Sequence, residues 1–204
     1  GKSSLQGNTT GEFNTAVGAC SLNANTTGQQ NTAMGYKALQ NNLEADNNTA
    51  FGLQTLRNST TGASNTAVGH DSLKLNTSGS NNTSVGQISL GANTTGSNNV
   101  AVGKCALCSN TEGAQNISMG VEALSKNTTA ENNVAVGHRA LCANITTSNN
   151  VAVGKEALRN NVQNSNTAVG HFASQANTSG DCNVAIGFET LCVNQTGGGH
   201  TAVG

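Results

Sequence analysis

The sequence predicts an all-β fold, a parallel β-solenoid (β-roll) of twelve rungs with 17 residues each. Three observations predict it: glycine recurs at a fixed interval, each unit carries one large apolar residue at a constant place, and charged residues are confined to a few places in the unit. A unit of 17 residues is too short for helical repeats, which need about 33–47 residues. β-Branched residues, period-two alternation and Gly/Asn turns favour short strands joined by tight corners.

The repeat covers residues 1–204 as a single continuous array. The glycines that open the units and close the last one stand at positions 1, 18, 35, 52, 69, 86, 103, 120, 137, 154, 170, 187 and 204. Eleven intervals are 17 residues long, and the unit at 154–170 is one residue shorter, with the loss between Asn161 and Asn166. Both ends resemble the middle, so we expect an excerpt of a longer fibre. We number positions in a unit by their distance after the opening glycine.

Apolar and charged residues are segregated within the unit. Position 4 is Leu in eleven units and Ser174 in the other, and all nineteen charged residues lie at positions 1, 2, 5, 6, 9 or 11. No charge occurs in the segment Asn-x-Ala-x-Gly that closes each unit, as in Asn99 to Gly103. This segregation predicts a repeating inside and outside, with rungs stacked about 4.8 Å apart.

Glycine and asparagine are expected at the corners of the coil. The recurrent Gly predicts a site where φ is positive or where a Cβ would meet the next rung. Asn at position 7 and at the strand start is expected to tolerate left-handed backbone, and stacked Asn side chains can hydrogen-bond as ladders.

Composition excludes several classes of function. The net charge of −1 leaves no basic surface for nucleic acid, and no apolar run is long enough for insertion into a membrane. His70, His138 and His171 share position 1 on rungs that are too far apart for a common metal site. No grouping of catalytic residues recurs, so we expect no enzyme activity, no metal and no cofactor.

Six cysteines leave three alternatives open. Cys105 and Cys108 form a C-x-x-C with no second pair for a zinc site. They form a local disulfide, or some cysteines link neighbouring chains, or the cysteines are free small hydrophobes.

Thirteen N-x-S/T sequons make the chain a candidate glycoprotein. Asn42, Asn110 and Asn161 keep position 7 without completing a sequon, so that position needs Asn for the corner. The better candidates for N-glycosylation are therefore Asn47, Asn58 and Asn81. The weaker candidates are Asn8, Asn25, Asn76, Asn93, Asn127, Asn144, Asn177 and Asn194.

The strand before each Gly predicts association with copies of the same chain. The position that Ala occupies in this strand is never charged and never large. In a solitary coil, however, one face of the strand should be exposed to solvent and should collect polar residues. We therefore expect a homo-oligomer, a trimer or a bundled filament, packed through this position, with Ala101, Ala135 and Ala152 as interface candidates.

The closing segments resemble a known family. The runs Asn14 to Gly18, Asn133 to Gly137 and Asn183 to Gly187 resemble the S/N-x-A-I/V-G repeats of trimeric autotransporter adhesin heads. The longer form N-T-A-V-G-x-x-A-L-x-x-N-T-T-G is similar to repeats in phage-tail-fibre-like and giant-virus fibre proteins. The resemblance implies a left-handed roll and three chains side by side, although adhesin heads use a shorter repeat. It implies no catalytic residues.

These observations favour a structural extracellular fibre or fibre shaft that gives rigidity and reach as a surface appendage of a cell or virus. One alternative is an ice-binding β-solenoid, although the strand position varies between Thr and Val or Ile. Another is the repeat shaft of an adhesin or tail fibre whose receptor- or glycan-binding tip lies elsewhere.

Overall fold

The computed structural model describes all residues 1–204 and confirms the parallel β-solenoid. Twelve strands of three residues form one parallel sheet in sequence order, with about eleven turns of the coil between the first and the last. The strands are β1 Thr15–Val17, β2 Thr32–Met34, β3 Thr49–Phe51, β4 Thr66–Val68, β5 Thr83–Val85, β6 Val100–Val102, β7 Ile117–Met119, β8 Val134–Val136, β9 Val151–Val153, β10 Thr167–Val169, β11 Val184–Ile186 and β12 Thr201–Val203.

Equivalent positions of successive rungs pair throughout the sheet. Ala101 of β6 lies opposite Ser118 of β7, and the same alignment holds for every neighbouring pair. The short unit keeps this register, since Thr167 of β10 pairs with Val151 of β9. Its missing residue is therefore absorbed by the loop before β10, and the sheet continues without a break.

Backbone hydrogen bonds between rungs continue far outside the three-residue strands. The amide of Leu22 donates to the carbonyl of Ala38 at 3.0 Å, and the amide of Ala24 donates to the carbonyl of Gln40 at 2.9 Å. In the other direction along the axis, the amide of Cys20 donates to the carbonyl of Lys2 at 2.9 Å. Each rung is thus tied to its neighbours around most of its circumference.

The corner glycines meet both conditions that the sequence predicts. Gly103 has a φ of 133°, and an added Cβ would lie 2.6 Å from the carbonyl oxygen of Gly120 in the next rung. The backbone therefore requires glycine here for its dihedral angle and for its lack of a side chain.

Left-handed backbone also occurs at three non-glycine positions of the rung, and these differ from the expected ones. Positions 2, 4 and 12 have positive φ, as in Cys105 (55°), Leu107 (53°) and Gln115 (58°). The expectation that Asn at position 7 or at the strand start is left-handed was wrong, because those residues keep negative φ. Left-handed backbone costs roughly 1–2 kcal/mol per residue, and burial of a Leu side chain, worth about 1.5–3 kcal/mol, offsets it at position 4.

The core consists of the Leu at position 4 and small residues at positions 3 and 15. Ala101, Ala135 and Ala152 belong to it and are fully buried within the single chain, so their prediction as interface residues was wrong. The strand and the segment at position 3 that faces it lie too close for a larger side chain at position 15. The hydroxyl oxygens of Ser72 at position 3 and Ser84 at position 15, for example, are 2.7 Å apart. The strand therefore turns its smallest residue inward.

Truncation of one core leucine is expected to destabilise the coil strongly. Leu124 is fully buried, so Leu124→Ala should lower the free energy of unfolding by roughly 2–5 kcal/mol. Lys126→Ala, on the exposed side of the same rung, should change it by less than about 0.5 kcal/mol. Chemical denaturation followed by circular dichroism measures both, and equal effects would contradict this assignment of inside and outside.

Candidate interaction surface

The outward side of the sheet is a flat surface without charge, which we call the strand face. It consists of the first and third residues of every strand, at positions 14 and 16, which are Thr, Val or Ile and Val, Met, Phe or Ile respectively. Many of these side chains are exposed, including Phe51 at 49% and Met119 at 44%. The strand face thus presents two parallel columns of β-branched and large apolar side chains to solvent.

Charges of opposite sign border the strand face. Position 1, just after the strand, carries Lys2, Lys104 and Lys155 and no acidic residue, and we call this column the basic flank. Position 11, three residues before the strand, carries Glu12, Asp46, Glu131 and Asp181 and no basic residue. Glu44 and Glu112 at position 9 extend this acidic flank. His70, His138 and His171 share the basic flank and do not meet each other.

Two ladders of buried Asn support the rung behind the acidic flank, as the sequence predicts. In the first ladder, at position 7, the amide of Asn110 donates to the side-chain oxygen of Asn93 at 2.8 Å and to the carbonyl of Gly113 at 2.9 Å. In the second, at position 13, the side-chain oxygen of Asn116 accepts the backbone amide of Asn133 at 3.0 Å. The interior therefore contains repeated polar groups that are paired from rung to rung.

The only non-Asn residue at position 7, Ser59, leaves a defect in the first ladder. Its hydroxyl donates to the carbonyl of Gly62 at 3.2 Å, but the side-chain oxygen of Asn42 in the preceding rung has no partner. An unpaired buried polar group costs about 1–3 kcal/mol.

Repair of this defect is expected to stabilise the protein. Ser59→Asn should supply an amide donor to Asn42 and an oxygen to Asn76, raising the free energy of unfolding by roughly 1–2 kcal/mol. Ser64→Asn, at the exposed position 12 of the same rung, serves as the control and should change it by less than about 0.5 kcal/mol. Thermal denaturation compares the two, and an unstable Ser59→Asn protein would show that the ladder does not govern this site.

The structure separates the sequons by exposure. Those at position 7 lie in the first ladder, where Asn25, Asn76, Asn93, Asn127, Asn144 and Asn177 are buried and Asn8 and Asn194 are half-buried. Asn58 is half-buried and accepts a hydrogen bond from the amide of Asn41. Asn47 and Asn81 are exposed at position 12. A glycan on a buried ladder amide would replace its hydrogen bonds, so the sequons compatible with the coil are Asn47, Asn81 and Asn58, whose amide nitrogen makes no hydrogen bond.

Of the three alternatives for the cysteines, the structure contains the local disulfide. Cys105 and Cys108 are joined within one rung, with their Cα atoms 4.8 Å apart. Cys20, Cys142, Cys182 and Cys192 are free thiols, and Cys182 at position 12 is exposed.

Ion pairs form on the side of positions 2 and 5, both between rungs and within a rung. Arg139 Nε donates to Glu122 Oε2 of the preceding rung at 2.6 Å, and Arg159 pairs with Glu156 at 3.1 Å. The hydrogen bond from Arg139, followed by its charge, lowers the pKa of the Glu122 carboxyl. Asp71, Glu122 and Glu156 on this side are therefore paired with cations of the same chain, whereas no residue of the acidic flank forms an ion pair.

The Glu122 carboxyl is expected to titrate below the ordinary range of a glutamate side chain. Its pKa is depressed in the folded chain, so the contribution of the pair is present above the ordinary carboxyl pKa and is lost as the pH falls through the lowered value. NMR titration of the Glu122 carboxyl carbon measures the lowered midpoint. Arg139→Ala should return the Glu122 midpoint to the ordinary range, and an unchanged midpoint would contradict the pairing.

The chain shows little sign of a metal site, a membrane-spanning segment or a ligand pocket. No three His, Cys, Asp or Glu side chains converge on a point where a metal ion could sit, and the chain contains no helix that could span a membrane. A notch of about 290 Å³ opens between Lys74 and Cys108, where Gly91 has no side chain. No protein-family model, curated protein or solved structure matches the chain.

Proposed function

We propose that this chain is a structural protein, the rigid shaft of an extracellular fibre or of a surface appendage of a cell or virus. The observation that supports this role best is the continuous set of hydrogen bonds that joins every rung to the next along the axis. A chain built in this way serves as a spacer, with a length set by the number of rungs.

Buried polar ladders make such a rod resistant to bending. A bend would lengthen the bonds from Asn110 to Asn93 and from Asn127 to Asn110 on its outer side, and both lie where water cannot replace them. Each buried group that loses its partner costs about 1–3 kcal/mol. Because the bonds recur at every rung, a bend at any level has a similar cost.

Several features of the chain favour an extracellular location. The disulfide between Cys105 and Cys108 is typical of oxidising compartments, and the exposed sequons at Asn47 and Asn81 would accept glycans there. The resemblance of the repeat to adhesin heads and viral fibres favours the same location. In this role the chain associates with copies of itself, and a receptor-binding tip lies elsewhere in the appendage.

Small-angle X-ray scattering and electron microscopy of the purified chain test the proposal. The chain should scatter as a stiff rod about 55 Å long, at about 4.8 Å for each rung. A second copy of residues 104–137 inserted in tandem adds two rungs and should lengthen the rod by about 10 Å without changing its cross-section. A compact or flexible particle, or an insertion that thickens it, would overturn the proposal.

Ice binding is a second candidate because of one feature of the strand face. Position 14 is Thr in five successive strands, β1 to β5, which gives a regular row of hydroxyl and methyl groups. Met34 and Phe51 at position 16 interrupt the flat surface beside this row, and position 14 changes to Val or Ile from β6 to β9. A thermal-hysteresis measurement distinguishes the two functions, because clear activity favours ice binding and no activity favours the shaft.

A further inference from the structure

We infer that the strand face is covered by a second copy of this chain, whose axis is parallel to the first, points in the same direction and lies with its rungs at the same level. This inference rests on the proposed structural role, in which the chain associates with copies of itself, and it names the surface and the orientation. Three observations support it: the area of the face, its composition and the signs of the charges at its two edges.

The area of the strand face is sufficient for a stable pair. Eleven spacings of about 4.8 Å and a width of about 11 Å give roughly 600 Å² for each copy. Two faces in contact would bury about 1,200 Å², at the lower end of the range of stable interfaces. Exposed apolar patches of this size on soluble proteins commonly mark interaction sites.

The composition of the face suits a second sheet of the same kind. None of its residues is charged, and most are Val or Thr, so contact with an identical face leaves no charge unpaired. Sheets pack face to face at about 10 Å, with short apolar side chains between them. A partner rich in charged groups would lose hydration without gaining ion pairs at the centre of this face.

The charges at the edges determine the direction of the second copy. When two copies face each other around an axis that runs along the fibre, the acidic flank of each lies beside the basic flank of the other. When one copy is turned end over end, acidic flank meets acidic flank and basic meets basic. Like charges in contact oppose association, so the parallel arrangement is favoured.

The buried area favours the register with rungs at the same level. This register covers all twelve strands of each copy, whereas every rung of shift leaves one strand of each copy uncovered.

A single spin label on the native Cys182 tests the direction. In a chain with Cys20, Cys142 and Cys192 replaced by Ser, Cys182 is the only free thiol, and the disulfide remains in place. Light scattering should give an assembly larger than one chain, and pulsed electron resonance should give a label separation below about 35 Å. In the end-over-end arrangement the labels would lie nine rungs apart, at least about 43 Å along the axis. A monomer or the longer distance would overturn the inference.

Two sets of variants test the surface and the flanks. Val136→Lys places a charge on the outward side of β8, so it should abolish assembly while leaving the circular dichroism of the folded chain unchanged. Lys104→Glu combined with Lys155→Glu should weaken association at least about fivefold, and high salt should weaken the assembly of the unaltered chain. Lys126→Glu lies at position 6, away from the flanks, and should have no effect.

The outcomes separate this inference from the proposed function. A stiff rod that remains a single chain overturns the inference and the self-association, and it leaves the role of rigid shaft standing. An assembly that Val136→Lys leaves intact overturns the inference alone. A particle that is not a rod overturns the structural role, whatever its mass.

Discussion

Gly103→Val is expected to lower the free energy of unfolding by roughly 3–5 kcal/mol and to loosen the neighbouring rungs. The φ of 133° lies in a region that side chains rarely adopt, and the Cβ would stand 2.6 Å from the carbonyl oxygen of Gly120. Backbone strain of about 1–3 kcal/mol and a collision costing about 1–3 kcal/mol add together here. Thermal denaturation gives the total, and hydrogen exchange should show the lost protection around rungs 7 and 8.

Gly199→Ala is the matched control for the collision. Gly199 also has a positive φ, 73°, but nothing lies within 4 Å of the position that its Cβ would occupy. Its replacement should therefore cost only the backbone strain, about 1–2 kcal/mol. If both variants lose the same stability, contact with the next rung is not the reason for glycine at the corner.

Asn110→Ala is expected to cost roughly 2–4 kcal/mol, a large effect for the loss of a polar side chain. Asn110 is fully buried, and its amide and oxygen bond to Asn93, Gly113 and Asn127 at 2.7–2.9 Å. Its removal leaves the side-chain oxygen of Asn93 and one amide hydrogen of Asn127 without partners in a place closed to water. Chemical denaturation of the two proteins measures the difference.

Two further substitutions examine the origin of this effect. Asn110→Ser keeps a hydroxyl that can reach the carbonyl of Gly113, as Ser59 reaches Gly62, so it should lose less stability than Asn110→Ala. Asn160→Ala, at an exposed position in another rung, should change stability by less than about 0.5 kcal/mol. A large loss at Asn160 would mean that asparagine supports the chain through its surface and not through the ladder.

The inward direction of Ala135 changes the design of experiments on assembly. Lys at Ala135 would place a charge in a core with no room for it, so such a variant would report on folding. Lys at Val136, the next residue along the strand, points to solvent and reports on association. The two substitutions differ by one residue and test different properties because side chains alternate between the two faces of a strand.

Most of the architecture could be predicted from the repeat. The spacing of glycine, the single Leu, the confined charges and the recurrent Asn predict the solenoid, its corners, the buried Leu107 and the ladder at Asn110, and the structure contains all of these. Each of these features recurs in almost every unit. Because each structural requirement recurs at every rung, the same residue type recurs at the same position of every unit. A single sequence therefore shows the pattern.

Only the tertiary structure decided which side of each strand faces the core. Alternation in Val100-Ala101-Val102 separates two faces, but both are uncharged and apolar, so the pattern alone does not say which one is inside. The short distance to the opposite side of the rung decides it, because the facing residues at position 3, such as Ala106, leave room only for Ala or Ser at position 15. The exposure of Asn47 and the pairing of Cys105 with Cys108 were decided in the same way, because both depend on where the turns place each side chain. Periodicity determines what repeats along the axis, whereas the cross-section of a rung depends on packing between residues that are distant in the unit.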